Sequence, residues 1–347
     1  MHLILLIIAS LIVSCTQIKL DIEPLEMDES VKGEILWKID LPSTESGNPL
    51  IYNNYLVIPL AQKNIQFIDL NTGKKAGKLN IDYIPKELLI LDNRLYSLGL
   101  GSWNSLSSYR LYPKFKKIFQ KSADPLGGKL YKHNGKLLFI TNRKKMLSIE
   151  PSTGEILDRV SLGSKAVAFL NAESKGVLIL ENGRIYSSQI DSEITFIDTL
   201  NLDTFLEIPP VISEKGDIYI LTKDKQIFKL DSNLNINKFS QLEIKNPRSL
   251  YYSNNHIYIQ NLEGEIILLD KDLNISDRLF GIEYSYTTPL IFDKKIIILS
   301  YKGEIIFYNK TGNEIKRIKL KGIPYRYINH RGKIYIPTDK KLLYCID

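Results

Sequence analysis

A beat of about forty residues runs through this chain and limits its fold more than any other feature. Strand-like runs that close on an Asp-type turn recur at Phe67-Ile68-Asp69, Ser148-Ile149-Glu150, Lys229-Leu230-Asp231, Leu268-Leu269-Asp270, Phe307-Tyr308-Asn309 and Cys345-Ile346-Asp347. Leu111-Tyr112 and Ser188-Gln189 keep the spacing between them. From position 69 to position 347, seven steps cover 278 residues. A fixed period of this length is the signature of propellers, solenoids and other repeat arrays.

A second turn keeps the same beat, at Asn53-Asn54, His133-Asn134-Gly135, Lys215-Gly216, Asn254-Asn255 and Arg331-Gly332. Each precedes an alternating or fully apolar run such as Tyr55-Leu56-Val57-Ile58 or Lys136-Leu137-Leu138-Phe139-Ile140. Asn and Gly tolerate positive φ, so these are hairpin signals. The runs are rich in β-branched and aromatic residues, which favour strands. No stretch shows sustained helical periodicity.

Each unit therefore predicts four strands in about forty residues, the length of a propeller blade. One four-stranded sheet cannot bury both faces alone. Radial stacking buries them against neighbours and leaves only short edges. Composition agrees with a folded body: 44% of residues are hydrophobic and 24% charged. No uninterrupted apolar run reaches the length of a membrane-spanning helix. The two cysteines cannot build a disulfide framework.

The ends of the chain predict how the ring closes. The last unit supplies strands at 325–329, 333–337 and 342–346 and then stops, one strand short. The start of the body, Gly33-Glu34-Ile35-Leu36-Trp37-Lys38-Ile39-Asp40-Leu41, has no partner strands before it. It matches the fourth strand of other units, such as Gly154-Glu155-Ile156-Leu157. The first strand is expected to complete the last blade. The fold class is then all-β, an eight-bladed β-propeller over residues 33–347.

The turns carry a resemblance. Asp69-Leu70-Asn71-Thr72-Gly73 and Glu150-Pro151-Ser152-Thr153-Gly154 resemble the PQQ-like repeat, apolar-Asp-x-x-Thr-Gly-x-x-x-Trp, with Trp kept at Trp37 after Gly33. One branch of that family, the quinoprotein dehydrogenases, binds pyrroloquinoline quinone and Ca²⁺. This chain lacks their inserts and vicinal cysteine pair, and its body holds only Trp37 and Trp103. The other branch is the BamB-type lipoproteins of outer-membrane β-barrel assembly, which are eight-bladed, lipid-anchored and non-catalytic. The chain is more similar to these. The resemblance implies no enzyme activity and no cofactor.

The N-terminus agrees with that branch. Residues 3–13 form an apolar run too short to span a bilayer but suited to an export signal. Ile12-Val13-Ser14-Cys15 resembles a bacterial lipobox, in which Cys15 accepts the lipid. A plain secretory signal or a buried N-terminal strand stays open as an alternative. The domains expected are a signal at 1–14, a lipidated Cys15 with an acidic tether at 15–32, and the propeller at 33–347. The tether carries Asp21, Glu23, Glu26, Asp28 and Glu29. Thr16, not Asp, follows Cys15, which in enterobacterial lipoproteins implies passage to the outer membrane. The expected location is the periplasmic face of the outer membrane.

Propeller loops carry binding while the sheets stay constant. In BamB-type proteins the partner surface lies in loops leading into neighbouring blades, one with an acidic pair before Thr-Thr-Pro. Here Thr287-Thr288-Pro289 follows Tyr284-Ser285-Tyr286, so aromatics replace the acids. The resemblance thus nominates Tyr284, Ser285 and Tyr286, with Pro247 and Arg248 in the equivalent loop of the preceding blade. Trp103 in the loop 99–108 is a further candidate. The implied partner is the periplasmic part of a BamA-like assembly subunit, bound by a monomeric propeller within a complex. A propeller that binds another envelope protein or a cell-wall ligand stays open.

Other chemistry finds little footing. His133, His256 and His330 occupy the same turn of three blades, which turn chemistry explains without a metal. Lys114, Lys116, Lys117 and Lys121, and Arg143-Lys144-Lys145, read as solvated edges and turns, with acidic partners or head groups as the alternative. Export argues against nucleic acid. Cys345 is expected as a small buried side chain.

Overall fold

The computed structural model describes residues 32–347 apart from 101–104, 113, 123–126, 173, 192, 254, 284, 286, 293 and 294. The expected signal, Cys15 and all of the tether but Lys32 lie outside the described residues. No helix occurs among the described residues, and so none long and apolar enough to cross a membrane.

The strands form eight four-stranded antiparallel sheets. Seven are simple meanders, blades 1 to 7, over residues 50–80, 84–122, 128–161, 166–201, 211–241, 247–279 and 290–319. Blade 8 takes Ile328–His330, Lys333–Pro337 and Leu342–Ile346 from the end of the chain and Ile35–Asp40 from its start. The closure expected from the sequence is therefore the one observed.

Strand periodicity explains the stacking. Successive side chains on a strand point to opposite faces. In Lys136–Thr141, Leu137 and Phe139 pack towards blade 2, while Leu138 and Ile140 pack towards blade 4. In Lys295–Ser300, Ile296 and Ile298 face blade 6, and Ile297 and Leu299 face blade 8. Both faces are buried, so the inner strands read as unbroken apolar runs. The buried side chains gather in eight clusters, each shared by two consecutive blades. The cluster that closes the ring joins Leu56, Ile58 and Ile68 of blade 1 to Tyr335, Leu343 and Cys345 of blade 8. Each fully buried Leu or Ile contributes about 1.5–3 kcal/mol over its exposed state.

The seam is held by main chain as well. Ile35, Trp37, Lys38, Ile39 and Asp40 pair with Ile346, Cys345, Tyr344, Leu343 and Leu342. The Gly33 N–H donates to the Asp347 carbonyl at 2.8 Å, and the Asp347 N–H returns to Glu34 at 3.1 Å. At the other end the Leu41 N–H donates to the Lys341 carbonyl at 2.8 Å.

The recurring acid at the third-to-fourth strand turn has a local cause. One Asp69 carboxylate oxygen accepts the Thr72 N–H at 2.8 Å, the Thr72 hydroxyl at 2.9 Å and the Asn71 N–H at 3.1 Å. The Thr72 N–H foremost holds the Asp69 carboxyl below its usual range. Asp270 does the same with Asn274 and Asp272. Asn309 repeats it with Thr311 and Asn313. The side chain satisfies turn amides that the strands leave open.

Two boundaries differ from the sequence expectation. The first strand of blade 8 is confined to Ile328–His330, and Pro324 makes only an isolated bridge to Thr338. Proline lacks the N–H a longer ladder needs. In blade 2 the third strand ends at Arg110, so Leu111-Tyr112 falls just past it, with Leu111 buried and Tyr112 exposed.

Candidate partner-binding rim

The ring has two rims. On one, the loops between blades lie against the second-to-third strand turns of the blade just left. The Leu162 N–H donates to Lys144, Leu242 to Lys225, Ile282 to Gly264 and Leu320 to Gly303, at 2.8–3.0 Å. The loops entering blades 6 and 7 belong to this rim. On the other rim lie the Asn-Gly-type turns and the acid-anchored turns.

Pro247 opens the first strand of blade 6, Pro247–Ser253, and is half-buried. A bulge between Pro247 and Ser249 takes Arg248 out of the ladder, and Arg248 is exposed. A bulge re-aims a side chain in this way. Next to it the Asn246 amide donates to the Glu263 carboxylate at 2.7 Å.

Ser285 is placed differently from Arg248. It is buried, its hydroxyl donates to the Leu299 carbonyl at 2.8 Å, and its main chain bridges Ser300. It anchors the loop from beneath. Tyr284, Tyr286 and Trp103 lie outside the described residues, as does Cys15.

A polar relay that sequence reasoning missed joins the two loops. The hydroxyls of Ser249 and Tyr251 form a short hydrogen bond. The Tyr251 hydroxyl donates to Gln260 Oε1 at 3.0 Å. Gln260 Nε2 then donates to the Glu283 carbonyl at 3.3 Å, beside Tyr284 in the chain. Gln260 is fully buried. Its only sequence signal is an amide, beside Asn261, that closes the strand His256–Asn261.

Glu283 extends the relay into a charge cluster. Its carboxylate accepts the Ser300 hydroxyl at 2.8 Å and a guanidinium N–H of Arg317 at 3.1 Å, with the Lys302 ammonium 3.6 Å away. Burial pushes the Glu283 carboxyl up, but Ser300, Arg317 and Lys302 together outweigh it and hold it below the usual range. Arg317 also binds Glu304, and meets Glu314 through two N–H groups at 2.6 and 3.0 Å. Glu314, then burial acting the other way, then Glu304 and Glu283 set the Arg317 guanidinium, whose proton is held more tightly than usual. The Arg317 guanidinium thus ties three carboxylates together at this edge of blade 7, with Lys302 beside Glu283.

A shallow cleft of about 690 Å³ lies between blades 5 and 6 on the same rim, lined by Lys225, Lys245, Glu263, Arg278 and Phe280. Phe280 is 66% exposed. Arg278 is tied to Glu265 at 2.7 Å and to the Glu243 carbonyl at 3.1 Å. Exposed aromatic surface ringed by ordered charge is suited to protein contact.

The remaining candidates are packed. His133 is buried, with Nδ1 2.8 Å from the Asn171 side-chain oxygen. His330 is half-buried, and burial, then Arg331, push its imidazole pKa down. Cys345 is a fully buried free thiol. No cluster of three or more His, Cys, Asp or Glu able to hold a metal is found among the described residues. Near the middle of the ring, Glu87 has its carboxyl pushed up by burial, with Lys129 and Arg326 opposing.

No family model and no curated protein matches the chain. Solved structures do. BamB from Moraxella catarrhalis superposes with a TM-score of 0.73 at 12% identity, over 90% of this chain and 99% of that one. The computationally designed Ika8 protein gives 0.74 at 11% identity, over 90% and 99%. Sqt1 of Saccharomyces cerevisiae gives 0.74 at 12% identity, over 91% and 99%. At such identities the likeness is one of fold.

Proposed function

We propose that this chain is a non-catalytic protein-binding scaffold. A lipid on Cys15 holds it at the periplasmic face of the outer membrane, and its rim binds the periplasmic part of a BamA-like barrel-assembly subunit. The observation that carries this reading is the rim. Both faces of the inner strands are spent on packing, so at the rim it is the loops that meet a partner. The loops entering blades 6 and 7 are held as one surface through buried Gln260. A fixed surface binds with less ordering cost than a loose one. The lipobox-like Cys15 and the structural likeness to BamB support the location and the partner.

The test is affinity purification of the full chain from detergent-solubilised envelopes, with the captured proteins identified by mass spectrometry. Barrel-assembly subunits are expected with the wild type and lost with Arg248→Ala plus Tyr284→Ala, while the melting profile is unchanged. Capture that ignores this pair removes the assigned surface. Cell-wall fragments or other envelope proteins in place of assembly subunits would reassign the partner. Radiolabelled palmitate incorporation, abolished by Cys15→Ala, tests the anchor. Resistance to protease on intact cells tests the periplasmic face.

A further inference from the structure

A groove of about 720 Å³ opens on the flank of the ring between the outer strands of blades 2 and 3. Its floor is apolar: Leu106, Phe139 and Leu147 are buried beneath it. Its wall carries Ile156 and Leu157, which are 49% and 39% exposed. Three cations line it, Lys121 from the outer strand of blade 2 and Lys145 and Arg159 from blade 3. None of their side chains is paired with a carboxylate among the described residues. Lys116, paired across the sheet with Arg110, adds positive charge further along the outer strand of blade 2. Glu155 is the one acid in the lining.

We propose that this groove is a second binding site, separate from the rim, for an extended acidic peptide segment with large apolar residues between its acids. The charge asks for an anion, and the floor asks for apolar side chains. A strand presents the two alternately along its length. Both flanking strands, Lys116–Ser122 and Ile156–Ser161, are the last of their sheets, so each has a main-chain edge without a sheet partner. A peptide can pair with such an edge, and an acyl chain cannot. Glu155 among the cations also disfavours a phosphate head group more than a peptide, which can place a basic or neutral residue there. The proposal does not depend on the identity of the rim's partner.

Fluorescence anisotropy on the purified full chain tests it, using a labelled peptide that alternates Glu with Leu. Binding is expected, with weakening of about tenfold or more in Lys145→Glu plus Arg159→Glu and a similar loss at ~0.5 M salt. Leu157→Asp should weaken it too. Should the double variant fold poorly, Arg159→Gln, at an exposed position, gives the same comparison. Four results would overturn the proposal. One is unchanged affinity in the charge variants. A second is equal binding of a peptide with Ser in place of Leu. A third is binding of phosphatidylglycerol vesicles without binding of the peptide. The fourth is a gain of about tenfold or more on removing residues 1–31, which would give the groove to the chain's own acidic segment.

Discussion

The indole of Trp37 lies flat enough over Gly73 that a Cβ added at Gly73 would sit 2.7 Å from the ring. Trp37 belongs to the strand that closes blade 8, and Gly73 to the acid-anchored turn of blade 1. The contact therefore spans the seam of the ring. Phe119 of blade 2 repeats it on Gly154 of blade 3, where a Cβ would sit 2.5 Å from the ring. At these two seams an aromatic ring docked on glycine sets how closely the blades approach.

Gly73→Ala should thus cost more than its backbone alone. Gly73 has φ +68°, and an L-residue there costs roughly 1–2 kcal/mol. The displaced indole adds an overpacking cost of about 1–3 kcal/mol. Gly135→Ala is the control, since its φ is +73° but nothing lies within 4 Å of the added Cβ. Urea denaturation should show a larger loss for Gly73→Ala than for Gly135→Ala. Equal losses would mean that the seam tolerates the shift.

The thiol of Cys345 reports on the same seam. It is fully buried, and burial foremost pushes its pKa up to about 11. A thiol that is both covered and protonated is slow to react. In a Cys15→Ser background, Ellman's reagent at neutral pH should leave the native chain unmodified. Removing residues 32–41 uncovers the strand Leu342–Ile346, which pairs with Ile35–Asp40. Reaction should then complete within minutes, and the shortened chain should expose a free hydrophobic edge and aggregate. A shortened chain that stays monomeric and unreactive would show that the ring closes without its first strand.

Much of this ring was legible in the sequence, because the signals were local. Asp69, Asp231, Asp270 and Asn309 mark turns whose hydrogen bonds run to residues two to four positions on. The missing last strand could be read from the chain ends alone. The rim was only partly legible. Arg248 and Ser285 were both expected in contact loops, yet a bulge turns one outward and a bond to Leu299 turns the other inward. That choice depends on register, which no single loop sequence carries. The charge cluster as a whole was not legible. Glu314 lies three residues from Arg317 on the same strand, but Glu304 and Glu283 reach it only through a hairpin and the loop between blades. The groove between blades 2 and 3 likewise needs two blades in place, so its lysines read from sequence as plain solvated surface.

That cluster makes stability depend on pH. Glu283 has burial raising its carboxyl pKa and Ser300, Arg317 and Lys302 lowering it further, and Glu314 is lowered by Arg317 first. A carboxylate whose folded pKa lies below its unfolded value stabilises the fold above the unfolded value. That contribution is lost as pH falls through the folded one. Wild type should therefore outlast Arg317→Ala in thermal melts near neutral pH. The gap should narrow as pH drops below the ordinary glutamate value of 4.5. A gap that stays constant down to pH ~3 would show that the guanidinium acts by packing and not by charge.

The relay makes the sharpest claim, because it says that two positions far apart in sequence act through one carboxyl-bearing residue. Gln260→Leu keeps the side-chain bulk but removes the amide donor of the Glu283 carbonyl and the bond from the Tyr251 hydroxyl to Gln260. An unsatisfied buried group costs about 1–3 kcal/mol, so Gln260→Leu should lower stability by that amount. Arg317→Ala loosens the same Glu283 from its carboxylate end. If the relay positions Glu283, whichever change comes first frees the residue and leaves less for the second to remove. The double variant should then lose less than the sum of the two singles, by about 0.5 kcal/mol or more in urea denaturation. Losses that add within about 0.3 kcal/mol would mean that Gln260 and Arg317 are independent, and that the loops entering blades 6 and 7 are held separately.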